Sequence, residues 1–205
     1  PDALKVDITA ERVDLVSTPG LERALNAYLG YTKGIPLLEK KMSNYQLIVE
    51  KSVQPVRPYT AAFVVKNLHL DEEKLKEIIW VQEKLHATFA RDRKKAAIGI
   101  YPLNVIHWPI YFKGMKPHEI KFQPLEMDKS LSGMEILEQH PKGKKYAHLL
   151  KDLPIYPIFM DAKNNVLSMP PIINSHSTGK VTEKDKELFV EVSGHYWPTI
   201  SATAD

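Results

Sequence analysis

Along the chain, apolar positions switch between the two-residue period of strands and the 3.6-residue period of helices. Leu4 to Ile8 alternates as a short strand. Thr18 is the expected N-cap of a first helix, with Pro19 at its first position. Leu21, Ala24, Leu25 and Tyr28 then recur at helical spacing, and Gly30 supplies the stop. Tyr45 to Glu50 and Tyr59 to Lys66, rich in Val, Ile and aromatics, read as strands. Asp71 is the next N-cap, followed by Glu72 and Glu73 in a first turn where the helix dipole favours acids. Leu75, Ile78, Ile79, Leu85 and Phe89 form the apolar stripe of that helix. Its C-terminal end carries the basic cluster Arg91, Arg93, Lys94 and Lys95. Ala96 to Tyr101 is a short buried strand.

The stretch Trp108 to Pro124 is aromatic and basic, with three prolines, and reads as irregular with short extended pieces. Ser132 and Glu135 have capping-box spacing for a helix reaching about His140. Pro141 interrupts it, and a second helix carries Tyr146, Leu149 and Leu150. Ile155 to Met160 and Val166 to Met169 are strands around a turn from Asp161 to Asn165, and Leu188 to Val192 is the last strand. Strands and helices mix without regular βαβ alternation and without repeats. The expected class is α+β, a mixed β-sheet with flanking helices.

Composition narrows the chemistry. The chain has 205 residues, 43% hydrophobic and 26% charged, close to an average folded domain and unlike a disordered one. No apolar run approaches the roughly 20 residues of a membrane helix. The segment Pro1 to Leu4 lacks the basic and apolar regions of a signal peptide. It reads as the cut end of a longer polypeptide, as does the segment after Ser201. With no cysteine, thiolate nucleophiles and Cys-based zinc sites are excluded. A net charge of +3 permits a polyanionic partner without demanding one. Lys142, Lys144 and Lys145 make a second basic cluster beside the one at Arg91. Phosphate loops, dinucleotide fingerprints, zinc-helix motifs and nucleophile elbows are all absent. The 8 histidines are scattered, none at helical ligand spacing. Any catalysis must then rest on positioned water, backbone donors and a few side chains.

The string Val166-Leu-Ser-Met-Pro170-Pro171-Ile-Ile-Asn-Ser175 is the most distinctive in the chain. Read alone, it is a strand end followed by a rigid turn, since proline cannot donate to a ladder. It resembles a signature in the B3/B4 editing domain of the archaeal and eukaryotic phenylalanyl-tRNA synthetase β subunit. Further pieces resemble that family in order. They are Gln82 to His86, Arg91 to Lys94, Ala97-Ile98-Gly99, Tyr111, Lys121 to Leu125, Tyr146 to Asp152, Tyr156-Pro157, and Leu188 to Gly194. The resemblance runs from about Asp14 to Gly194. It implies a remnant of a preceding domain over 1–16, a B3/B4-like editing domain over 17–200, and the start of a following segment over 201–205.

What the resemblance implies is hydrolysis of tyrosine wrongly attached to tRNA(Phe). An apolar pocket rejects an added hydroxyl by only about a hundredfold, so a second site that demands the hydroxyl repairs the error. Such a site needs an aromatic-sized slot ending in an acceptor. The family places an acid at Glu191, a position that pattern alone reads as the solvent side of an alternating strand. Ser193, two residues on, shares its face. Ser168 matches the family's editing-site serine, to position the ester or a water; read alone it is an ordinary strand serine. Phe159 matches an apolar wall where relatives have Leu. Arg91, Arg93, Lys94 and Lys95 could contact tRNA phosphates, or simply favour a helix end. The resemblance further implies tRNA(Phe) and the synthetase α subunit as partners, no membrane or DNA, and a cytoplasmic location. Editing needs no cofactor, while ATP and Mg serve the synthetic reaction elsewhere in the full enzyme. The rival expectation is a non-catalytic tRNA-binding or subunit-docking module of the same fold.

Overall fold

The computed structural model of the protein describes residues 5–9, 12–34 and 40–204. In chain order it contains α1 (Thr18–Tyr28), β1 (Leu47–Val49), β2 (Tyr59–Val65), α2 (Glu72–Ala87), β3 (Ala96–Pro102), β4 (Ile110–Met115), β5 (Lys121–Phe122) and β6 (Leu131–Ser132). There follow α3 (Gly133–Gln139), α4 (Pro141–Tyr146), β7 (Tyr156–Met160), β8 (Val166–Met169), β9 (Ile173–Asn174), α5 (His176–Gly179), β10 (Leu188–Gly194) and α6 (Trp197–Ala204). Of the strand expected over Leu4 to Ile8, Leu4 lies outside the described residues and 5–8 form none.

Caps account for most helix starts. Asp71 accepts from the Lys74 amide at 2.8 Å and opens α2. Ser132 and Glu135 form the expected reciprocal capping box of α3. The first helix is capped one residue earlier than its sequence suggested: Ser17, not Thr18, accepts from Gly20 N. His140 both ends α3 and caps α4, with Pro141 at its first position.

Two sheets stack face to face. A five-stranded sheet runs β1-β4-β7-β8-β9, and β1 and β4 are its parallel pair. A three-stranded antiparallel sheet runs β2-β10-β3 with β10 in the middle. The stretch expected to be irregular thus contains β4, a six-residue strand whose Ile110 and Phe112 are wholly buried. Its three prolines, Pro109, Pro117 and Pro124, fall outside the strand, where they do not interrupt its ladder. The β5–β6 pair forms a small third sheet.

Between the two main sheets lies a cluster with Tyr101, Ile110, Phe112, Phe159, Leu167 and Phe189. The far side of the large sheet packs Ile158 and Met160 against Ile136 and Leu137 of α3. The far side of the small sheet packs Val192 against Ile200 of α6. The two sheets are therefore sandwiched between helical layers. The fold is α+β with a mixed sheet and flanking helices, as the pattern indicated.

The α2 stripe is less buried than its period suggested. Ile79 is half exposed, Phe89 falls beyond the helix end, and the fully buried residue of α2 is His86. The helix instead serves the edge strand β3. Gln82 donates to Ile98 O at 2.8 Å, and the Ile98 amide donates to His86 Nε2 at 2.8 Å. Both outward-facing backbone groups of Ile98 are satisfied this way, which closes a sheet edge. Among the described residues, no helix is long and apolar enough to cross a membrane, and no His, Asp and Glu group could hold a metal.

Candidate functional site

The site forms where the two sheet faces meet. Phe112, Phe159, Ser168 and Asn174 stand in register across β4, β7, β8 and β9, so they share a face. Opposite, alternation along β10 puts Phe189, Glu191 and Ser193 on one face, paired with Tyr101, Gly99 and Ala97 of β3. One side chain ties the two faces together. Tyr101 Oη lies 2.7 Å from Ser168 Oγ and 3.1 Å from Glu191 Oε1.

Glu191 is 2% exposed. Its position is therefore an inward one, and the solvent-facing alternative does not hold. Burial pushes its carboxyl up to about 7, while Arg57 and the hydroxyls of Tyr101 and Ser193 pull it part of the way back. Its second oxygen, Oε2, has no hydrogen-bond partner. An unpaired buried carboxylate oxygen costs free energy unless something else meets it.

Arg57, just before β2, is the nearby cation and is itself fully buried. Nε donates to Ser193 Oγ at 3.0 Å, and a guanidinium nitrogen donates to the Ser193 carbonyl. Burial brings its pKa down to about 10, so it stays charged at neutral pH. Ser193 is therefore held by Arg57 behind Glu191.

A cavity of about 90 Å³ is lined by Ser168 and Glu191 together with Gln82, His86, Arg93 and Pro171. It is smaller than the roughly 150 Å³ that houses benzene in an engineered core. Phe159 and Ser193 are not among its lining residues. Phe159 is wholly buried and stacked on Phe112 at 4.2 Å, one strand from Ser168.

The basic cluster divides. Arg91, Asp92 and Arg93 have positive φ, in a turn beyond α2 rather than in its last helical turn. Arg91 and Lys94 are exposed, Lys95 is half-buried, and Arg93 is buried. Arg93 donates to the carbonyls of Pro171 and Ile172 at 3.0 and 3.1 Å and pairs with Glu83 at 2.8 Å. It thus holds the turn of the Val166-to-Ser175 string instead of facing solvent. Its Nε is unpartnered. His86 Nε2 accepts from Ile98, so the ring proton sits on Nδ1, which makes no hydrogen bond and faces Glu83 Oε1 at 3.9 Å. Burial lowers the pKa of His86 and keeps it neutral.

Sequence reasoning did not find Arg57, Tyr101 or the role of Gly99. A Cβ on Gly99 would sit 2.2 Å from Tyr101 Oη and 2.4 Å from Glu191 Oε1. Only glycine lets those two groups meet there. Gly99→Ala is expected to break that hydrogen bond and destabilise the domain by about 1–3 kcal/mol, as overpacking does. Urea unfolding measures it, and an unchanged midpoint would mean the sheets yield freely.

The architecture is that of a known synthetase domain. It matches the crystal structure of an N-terminal fragment of the phenylalanyl-tRNA synthetase β subunit from Pyrococcus horikoshii. The TM-score is 0.90 and the identity 41%, over 95% of this chain and 58% of that one. In sequence, the chain is 43% identical over 189 residues to the phenylalanine–tRNA ligase β subunit of Thermococcus sibiricus, covering 92% of the chain. It is 42% identical over 191 residues, or 93% of the chain, to the β subunit of Methanosphaera stadtmanae. It is therefore homologous to part of that subunit, spanning 34% of the length of each of these two relatives. No family model matches it.

Proposed function

We propose that this chain is the B3/B4 editing domain of a phenylalanyl-tRNA synthetase β subunit and hydrolyses tyrosine from mischarged tRNA(Phe). The observation that carries this reading is the buried Glu191 carboxylate, with one oxygen unpartnered, on a cavity it shares with Ser168. A tyrosyl hydroxyl donating to Glu191 Oε2 satisfies that oxygen. A phenylalanyl ring leaves it unpaired, which is the stronger basis for discrimination.

The reaction asks little more. Water adds to the ester carbonyl, the tetrahedral intermediate collapses, and the ribose hydroxyl of the tRNA leaves with a proton. The ester is already activated, so holding water in line supplies much of the rate. Ser168 accepts from that water and so orients it, and the reaction needs no cofactor. ATP and Mg belong to synthesis elsewhere in the whole enzyme. Exposed Arg91 and Lys94, with Lys95, offer phosphate contacts that would make tRNA binding fall with salt. The α subunit as partner and a cytoplasmic location follow from the same reading.

The test compares deacylation of Tyr-tRNA(Phe) and Phe-tRNA(Phe). Tyrosine should be released faster, and Glu191→Ala should remove most of that preference, roughly tenfold or more for one charged hydrogen bond. Equal background rates for both substrates would sink the reading. A second reading is a non-catalytic tRNA-binding or subunit-docking module. The small cavity, with Tyr101 already bonded to Glu191, favours it. Salt-sensitive tRNA binding without deacylation would select it.

A further inference from the structure

We infer that Tyr101 is a positioning residue whose hydroxyl holds Ser168 and one oxygen of Glu191, so that these two side chains present acceptors to a ligand group that donates. This deepens the editing reading and rests on it for the identity of the ligand. The hold itself is a property of the fold.

The argument starts from where the ring comes from. Tyr101 is wholly buried in the inter-sheet cluster, stacked on Phe189 at 5.7 Å, and is not among the cavity-lining residues. It reaches Ser168 and Glu191 from behind. A phenol has one proton to donate and lone pairs to accept with. Burial, and then the Glu191 charge, push the Tyr101 pKa well above its ordinary value, so it remains a phenol. When Glu191 is ionised it can only accept, and the phenolic proton therefore goes to Oε1. The Ser168 hydroxyl proton then goes to the Tyr101 oxygen. The distances accommodate a chain running from Ser168 to Tyr101 to Glu191 for as long as Glu191 is ionised.

Two consequences follow. The free polar atoms left at Ser168 and Glu191 are Oγ lone pairs and Oε2, all acceptors. At this corner of the cavity they suit a phenolic hydroxyl or an ammonium group, both carried by a tyrosyl ester, while the donors Arg93 Nε and His86 Nδ1 belong to other lining residues of the same cavity. Ser168 also has no base beside it, because its partner is a phenol already donating elsewhere. It acts as an acceptor and not as a nucleophile.

The other charged or titratable groups around Glu191 are Arg57, before β2, and those that line the cavity: Glu83 and His86 of α2, Arg93 of the following turn, and Lys142 of α4. Tyr101→Phe alters none of them. It removes one charge-assisted hydrogen bond to the ionised form and leaves the ring in place. The titration midpoint of Glu191 should rise by about one pH unit. The preference for tyrosyl over phenylalanyl ester should fall roughly tenfold, with its pH profile displaced the same way.

The experiment is a carbon-13 NMR titration of glutamate-labelled full chain, with Glu191→Gln assigning the resonance. Ser168→Ala is the control. It leaves the Tyr101–Glu191 bond intact and should hold the midpoint. Should Tyr101→Phe not fold, Gly99→Ala separates the same two groups and must raise the midpoint instead. An unchanged midpoint in whichever of the two folds overturns the inference. So does an equal rise in Ser168→Ala, which would signal a general loss of polarity. If the wild-type chain deacylates both esters at background rate, the editing reading fails while the titration still decides what Tyr101 does.

Discussion

Replacing Arg57 by methionine is expected to lower the stability of the domain by about 3–5 kcal/mol at neutral pH, the usual result of removing one partner from a buried charged network. The side chain donates to both the hydroxyl and the carbonyl of Ser193 and is the cation that tempers the burial of Glu191. Methionine fills similar space but donates nothing. The Ser193 carbonyl is left without that donor, and Glu191 loses its counter-charge. The loss should shrink at low pH, where Glu191 neutralises itself by binding a proton. Adding Glu191→Gln to Arg57→Met should recover part of it. Urea midpoints for the two variants and the pair measure the coupling. A neutral Arg57→Met would mean that desolvating the guanidinium cancels everything it donates.

Glu191→Gln should stabilise the domain at alkaline pH and leave it unchanged near pH 4.5. Burial raises the folded pKa of Glu191 from 4.5 to about 7. Between those values the folded state holds a proton that the unfolded state has released. Wild-type stability therefore falls as pH rises through that window, by about 3 kcal/mol in total, and stays low above it. Glutamine carries no charge and removes the dependence. Unfolding curves of wild type and variant should diverge far more at pH 8 than at pH 5. Curves that stay parallel would show that Glu191 does not titrate in this range. The ionised form is also the better hydrogen-bond acceptor, so under the proposed editing reading the tyrosyl hydroxyl would meet Glu191 where the domain is least stable.

Much of the frame is legible in the sequence alone. Asp71 and the Ser132–Glu135 box mark helix starts because capping is a local hydrogen bond between residues three apart. The turn at Asp161 to Asn165 and the strand around Glu191 are legible for the same reason, since a turn and a two-residue period are local properties. The Val166-to-Ser175 string, read with its ordered neighbours, pointed to the homologues found. It also placed Ser168 and Glu191, 23 positions apart in the numbering, at one site, where the structure lines one cavity with both.

What the tertiary structure alone decided is what stands opposite each side chain. Period-two alternation says that Glu191 shares a face with Ser193, but not whether that face meets water or another sheet. Tyr101 reads as one more apolar strand residue until β8 is laid across β3 and its hydroxyl falls between Ser168 and Glu191. Arg57 does not stand out in the sequence, and only the fold brings it to Ser193, 136 residues away, which takes both of its hydrogen bonds. Arg93 reads as part of a basic patch until the Pro171 and Ile172 carbonyls turn it inward. Sequence by itself determined the local elements and the kinship of the chain, because caps, turns and periodicity act within a few residues. The site's electrostatics needed the stacked sheets, because burial and charge pairing depend on distances between segments that are remote in the chain.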